Sequence, residues 1–128
     1  MAKILVIDDE PEMLDLIRII LEGAGHRVAT CDTGRRAWEA IVETRPDLLV
    51  LDVMLPGVDG YSLQTKMAQE KATQNIPILI LTALEPAKTL FEKAGNVAGF
   101  LAKPFRSEDL LSKVKATLGA EVTKGDVA

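Results

Sequence analysis

The chain has 128 residues, 48% of them hydrophobic and 27% charged, which suits one globular domain with a single core and leaves little room for a second. Its 19 acidic and 15 basic residues give a net charge of −4, a poor electrostatic match for DNA phosphates or anionic lipid, so direct nucleic-acid or membrane binding by this chain is not expected. The single cysteine, Cys31, excludes an internal disulfide and a thiolate metal site and fits a cytoplasmic setting.

The first apolar run, Ile4-Leu5-Val6-Ile7, is too short for a signal-peptide core or a membrane span and reads as a strand. Met13, Leu14, Ile17, Ile20 and Leu21 then recur at helical spacing until Gly23 stops the segment. A second strand is predicted over Arg27–Cys31, and a second helix from Ala37, Trp38, Ile41 and Val42, closed by Pro46. Leu48–Leu51 is the third strand, and Tyr61 to Glu70 the third helix, with Leu63 and Met67 one turn apart. Ile76–Leu81 and Val97–Ala102 are the fourth and fifth strands, separated by a weaker helical pattern near Ala87 to Ala94. Ser107, followed by Glu108 and Asp109, is expected to cap a fifth helix whose buried face is Leu110, Leu111, Val114 and Leu118. From Gly119 to Ala128 the pattern is lost, so residues 1–118 read as the domain and 119–128 as a tail or the start of a linker.

The strands show almost no polar alternation, which predicts burial on both faces, as in a parallel sheet. Strict β-α alternation, five times over, gives an α/β fold: a flavodoxin-like, doubly wound (βα)5 sandwich. Its five-stranded parallel sheet is expected in the order 2-1-3-4-5. Ligands in such sheets bind beyond the carboxyl ends of the strands, where the order reverses between the first and third. Asp8, Asp9 and Glu10 follow the first strand, Asp52 the third, Thr82 the fourth and Lys103 the fifth. The topology therefore brings acidic, hydroxyl and ammonium groups to one edge.

Carboxylates packed together raise one another's pKa unless a cation joins them. An all-oxygen donor set suits a hard cation, Mg²⁺ more than Zn²⁺, and Mg²⁺ usually keeps places for water and a phosphate oxygen. Asp52 can act as a nucleophile toward phosphorus, because carboxylates form acyl phosphates. Lys103 and Thr82 can meet the charge that develops on the phosphoryl oxygens.

Asp8-Asp9, Asp52 within Leu-Asp-Val-Met-Leu-Pro-Gly-Val-Asp-Gly, Thr82-Ala83 and Lys103-Pro104-Phe105 together resemble the motifs of two-component response-regulator receiver domains, chemotaxis-regulator-like, over about residues 3 to 118. The resemblance implies that Asp52 is the phosphoacceptor. It implies that Asp9, Asp52 and the backbone carbonyl of Met54 hold Mg²⁺, with Asp8 acting through a metal-bound water. By the same resemblance Lys103 pairs with the phosphoryl group, its bond to Pro104 is cis, Thr82 swings toward the phosphoryl oxygen, and Phe100 stands at the switching aromatic position. The implied phosphoryl donor is a sensor histidine kinase or a phosphotransfer protein, and the implied reader is a downstream protein target or an output domain. The chain would not be a metabolic enzyme; it would promote its own Mg²⁺-dependent phosphoryl transfer and the slow hydrolysis of its aspartyl phosphate.

The chain departs from the family pattern between Glu85 and Gly99. The Thr82-to-Lys103 spacing is one residue shorter than in the commonest receivers, and Gly95-Asn96 and Ala98-Gly99 stand where an acidic pair usually precedes the aromatic. A short or shifted fourth helix is expected, and the salt-bridged dimer of the common DNA-binding regulators is not. Met54 and Leu84, each two positions beyond a site residue, are apolar and are expected to hinder in-line water and slow autodephosphorylation.

Plainer roles are expected elsewhere. Glu10 reads as a solvated first-turn residue, Asp59-Gly60 as turn chemistry, His26 as a surface residue, Cys31 as a small buried hydrophobe and Trp38 as core cover. The alternative function is a pseudo-receiver acting only as a protein-binding module. A flavin-binding protein is disfavoured because Asp8-Asp9-Glu10 would repel an FMN phosphate, and a haloacid-dehalogenase-type phosphatase because Met54 stands where a second Asp is needed.

Overall fold

The computed structural model describes residues 2–52, 60–82 and 96–127; for Tyr61, Thr82 and residues 119–127 it describes the backbone alone. The helical segment expected near 87–94 lies outside the described residues, as do Met54, Asp59 and Leu84. Strands β1 (Lys3–Ile7), β2 (Arg27–Cys31), β3 (Leu48–Asp52), β4 (Ile78–Thr82) and β5 (Val97–Ala102) form one parallel sheet in the expected order β2-β1-β3-β4-β5. The described helices are α1 (Pro11–Gly23), α2 (Ala37–Thr44), α3 (Gly60–Gln69) and α4 (Ser107–Val127), the last being the fifth helical segment of the sequence.

Strand alternation divides the core in two. Leu5, Ile7, Leu49, Leu51, Ile78 and Ile80 face α2 and α3, where Ala37, Ile41, Leu63 and Met67 meet them. Ile4, Val6, Leu48, Val50, Leu79 and Leu81 face α1 and α4, against Leu14, Ile17, Leu21, Leu110 and Val114. The central strands β1 and β3 are buried along nearly their whole length, as the unbroken apolar runs predict. The edge strands are not: Arg27 and Thr30 of β2, and Ala98 and Ala102 of β5, are exposed, because an edge strand is covered on fewer sides.

Local chemistry sets the boundaries. Pro11 occupies the first turn of α1, where its missing N–H is no loss. Arg45, left-handed at φ 48°, ends α2 with its N–H donated to the Ile41 carbonyl, and Pro46 follows. β4 begins two residues later than the apolar run suggests, since Pro77 has no N–H for the ladder. α4 is capped one residue earlier than expected. The Arg106 carbonyl accepts the Leu110 N–H at 3.1 Å, and the Arg106 N–H donates to Asp109 Oδ2 at 3.2 Å, so Arg106 is the cap and Ser107 the first helical residue.

One irregularity could not be anticipated from pattern. Ile78 pairs with Val97 but Leu79 pairs with Gly99, leaving Ala98 as an extra residue in β5. This bulge puts Val97 and Phe100 on the same face, where both pack against the α2-α3 side of the core.

Candidate functional site

Register alone aligns the chemistry-bearing positions. Ile7 of β1 lies opposite Leu51 of β3, so Asp8 and Asp52 are the next step on each strand. Asp52 in turn pairs with Leu81, one residue before Thr82, and Thr82 pairs with Ala102, one residue before Lys103. The four positions sit together at the carboxyl edge of the sheet.

Asp8 is fully buried, and its N–H and both carboxylate oxygens are engaged. Its N–H donates to the Cys31 carbonyl at 3.2 Å, Oδ1 accepts the Glu10 N–H at 3.0 Å, and Oδ2 accepts from Lys103 Nζ at 3.0 Å. The same ammonium donates to Asp52 Oδ2 at 3.1 Å and lies 3.8 Å from Glu10 Oε1. Asp52 is also buried, whereas Asp9 and Glu10 are exposed. Lys103 thus bridges the two carboxylates that the topology brings together. The Lys103–Pro104 peptide is cis, as the family resemblance implies.

Burial pushes the Asp8 carboxyl above its ordinary value, and the neighbouring Asp52 charge adds to that. The Glu10 N–H and Lys103 work in the opposite direction without cancelling it. For Lys103, burial opposes the charged form, but its hydrogen bonds to Asp8 and Asp52 and their negative charge prevail and hold the ammonium above its usual value.

Carboxylate oxygens of Asp8, Asp9, Glu10 and Asp52 all lie within 4.8 Å of one another. The donor set is oxygen only, half buried and half facing solvent, which fits a hard divalent cation that retains water ligands. Glu10, read from sequence as merely solvated, is exposed and yet joins this cluster. Its backbone N–H on Asp8 folds the β1-α1 turn back over the site.

Phe100 is partly buried beside Ile80 on the α2-α3 side of the sheet. Met54 falls outside the described residues, and Thr82 is described by its backbone alone. Cys31 is buried as expected, its thiol 3.2 Å from the Thr33 carbonyl, whereas His26, expected at the surface, is half-buried, its Nδ1 accepting the Ala2 N–H at 3.2 Å. Trp38 covers core and carries the Lys66 ammonium 4.4 Å from its ring centroid. Sequence reasoning missed one buried polar pair: Gln64 Nε2 donates to Asn96 Oδ1 at 2.6 Å, and Asn96 Nδ2 donates to the Gln64 carbonyl at 3.1 Å. Among the described residues, no helix is long and apolar enough to cross a membrane.

Residues 4–115 match the family model of the response regulator receiver domain. The DNA-binding dual master transcriptional regulator RpaA of Synechocystis is 39% identical over 119 residues, covering 92% of this chain and 49% of that protein. The chain therefore spans about half the length of the curated relatives it matches. Among solved structures, the chemotaxis response regulator CheY4 of Vibrio cholerae superposes with a TM-score of 0.84 at 31% identity, covering 91% of this chain and 98% of that one. The receiver domain of a sensor histidine kinase from Pseudomonas aeruginosa, with a magnesium ion coordinated in its active-site cleft, gives a TM-score of 0.82 at 29% identity, covering 92% and 98%. With the sheet order, the acidic edge and the lysine that bridges it, these matches mean that the chain belongs to the response-regulator receiver domain family.

Proposed function

We propose that Asp52 accepts a phosphoryl group from a sensor histidine kinase or phosphotransfer protein, and that the resulting charge is the signal. The observation that carries the reading is Lys103, held within hydrogen-bond distance of both Asp52 and Asp8 at the edge where the strand order reverses. Mg²⁺, held by Asp9, Asp52 and the Met54 carbonyl with Asp8 acting through water, would supply charge neutralisation at the phosphoryl oxygens. The four clustered carboxylates support that assignment.

In transfer, a carboxylate oxygen of Asp52 attacks the phosphorus of a phosphohistidine. The P–O bond forms, the P–N bond breaks, and the imidazole leaves with the electron pair. Lys103 Nζ gives up Asp52 Oδ2 for a phosphoryl oxygen while keeping Asp8 as its anchor. Thr82 moves toward another phosphoryl oxygen, and Phe100 repacks. Hydrolysis returns the system: water attacks phosphorus, the bond to Asp52 breaks, and inorganic phosphate leaves. Met54 and Leu84 slow that step by crowding the approach of water. The phosphoryl group biases a two-state equilibrium because it interacts better with the active arrangement.

The reader of the signal is a downstream protein or an output domain. Residues 1–118 are the receiver proper and 119–128 a tail or the start of a linker, with a cytoplasmic setting. Incubation with Mg²⁺ and acetyl phosphate should add the mass of one phosphoryl group to the wild type and none to Asp52→Asn. An unmodified wild type, or an equally modified variant, would overturn the assignment and favour a module that only binds protein.

A further inference from the structure

The Gln64–Asn96 pair lies outside the phosphoryl site, and the proposed mechanism does not use it. Both side chains are buried, at 5% and 9% exposure, and each donates one hydrogen bond to the other residue. Asn96 is also the residue just before β5, and its carbonyl accepts the Ile78 N–H at 2.8 Å, the first rung of the β4-β5 ladder. One residue thus ties α3, β4 and β5 together. Such a pair is costly to break from one side only, because the partner left behind is buried and unsatisfied.

β5 is therefore held at both ends. Asn96 fixes its start, and the bridge from Lys103 to Asp8 and Asp52 fixes the position just after its last residue. Between the two anchors lie the Ala98 bulge and Phe100. The bulge is flanked by Gly99, where a Cβ would sit 3.4 Å from Leu79 Cδ1 and 3.8 Å from Thr117 Oγ1, so this side of the strand packs close to α4 and β4. A strand with an extra, unpaired residue yields there sooner than in its regular part.

We propose that the Gln64–Asn96 clasp is a fixed anchor against which β5 works: when Lys103 changes partners, the displacement is taken up at the Ala98 bulge and delivered to Phe100, not spent in sliding the whole strand. The inference rests on the reading of Asp52 and Lys103 given above. Gln64 and Asn96 act here as positioning residues only.

Backbone NMR with Mg²⁺ and beryllium fluoride, a phosphoryl stand-in, tests it. In the wild type, resonances should move from Ala98 to Lys103, while the Asn96 side-chain amide and the Ile78 N–H stay in place and Ile78 exchange is unchanged. In the double variant Gln64→Met, Asn96→Leu, which replaces both polar groups with apolar ones of similar shape, acetyl phosphate should still modify Asp52. There the response should spread to Val97 and Ile78, with Ile78 exchange rising about tenfold on adding the stand-in. Movement of the Asn96 amide together with Phe100 in the wild type would overturn the anchor without any variant. So would a double variant whose response stays confined as in the wild type. A wild type that acetyl phosphate does not modify would fail at the earlier step, and the phosphoacceptor reading would fall with the inference.

Discussion

Lys103 Nζ lies 3.1 Å from Asp52 Oδ2, with the lysine side chain 15% exposed and the carboxylate 5%. An ion pair this sheltered is not screened as a surface pair is, and removing one partner strands the other. Lys103→Ala leaves Asp8 and Asp52 facing each other without their shared cation. Urea unfolding at neutral pH in the absence of divalent metal should show a loss of about 3 kcal/mol. The loss should shrink in acid, where protonation of Asp8 relieves the repulsion. A variant as stable as the wild type at neutral pH would mean that the bridge contributes no net stability.

The pH dependence follows from two raised groups. Asp8 has a folded-state pKa above its unfolded value of 3.8, so the folded protein binds that proton more tightly. Its contribution is favourable below 3.8 and is lost as pH rises through the folded value. Comparing metal-free wild type with Asp8→Ala should show the wild type losing ground as pH climbs through that window. Added Mg²⁺ should reverse the trend, since a cation favours the ionised carboxylates. Lys103 acts at the alkaline end: its contribution is complete below 10.5 and fades as pH rises through its raised value. A wild type that gains on the variant between 3.8 and neutrality without metal would contradict the assignment.

Asp9 and Glu10 are both exposed and both reach the carboxylate cluster, yet they should differ in function. Asp9→Ala should weaken Mg²⁺ binding more than tenfold while changing metal-free stability by less than about 0.5 kcal/mol. Glu10→Gln keeps the backbone N–H that folds onto Asp8 and should shift the Mg²⁺ affinity by no more than about threefold. Titration with Mg²⁺ followed by calorimetry distinguishes them, and equal losses would make Glu10 a direct ligand.

Trp38 and Lys66 join α2 to α3 on the outside of the sheet, 4.4 Å from ammonium to ring. Lys66→Ala should cost about 0.5 kcal/mol and change the emission of the chain's one tryptophan. Unaltered fluorescence would show that the contact is not populated in solution.

The sheet was legible because strands buried on both faces are written as unbroken apolar runs, and Ile4–Ile7 and Leu48–Leu51 are such runs. The acidic edge was legible because parallel topology places every strand's carboxyl end on one side, so Asp8, Asp52 and Lys103 needed only to be read off after their strands. What escaped was long-range and polar. Gln64 and Asn96 are 32 positions apart, and nothing near either residue announces a buried amide pair. The Ala98 bulge was equally silent, since a run such as Val-Ala-Gly-Phe-Leu-Ala reads the same with or without an extra residue. Arg106 displaced Ser107 as the cap of α4 because the Asp109 carboxylate reaches back to the Arg106 N–H.

The contact between Lys103 and Asp8 closes 95 positions of chain, and that between Lys103 and Asp52 closes 51. Neither can form early in folding, because closing such loops costs entropy before β5 has docked to repay it. A chain emerging during synthesis carries the Asp52 carboxylate at the end of β3 long before it carries the ammonium that follows β5. On the proposed role of Asp52, competence to be phosphorylated is thus a property of the finished sheet, and labelling by acetyl phosphate would double as an assay for completed folding.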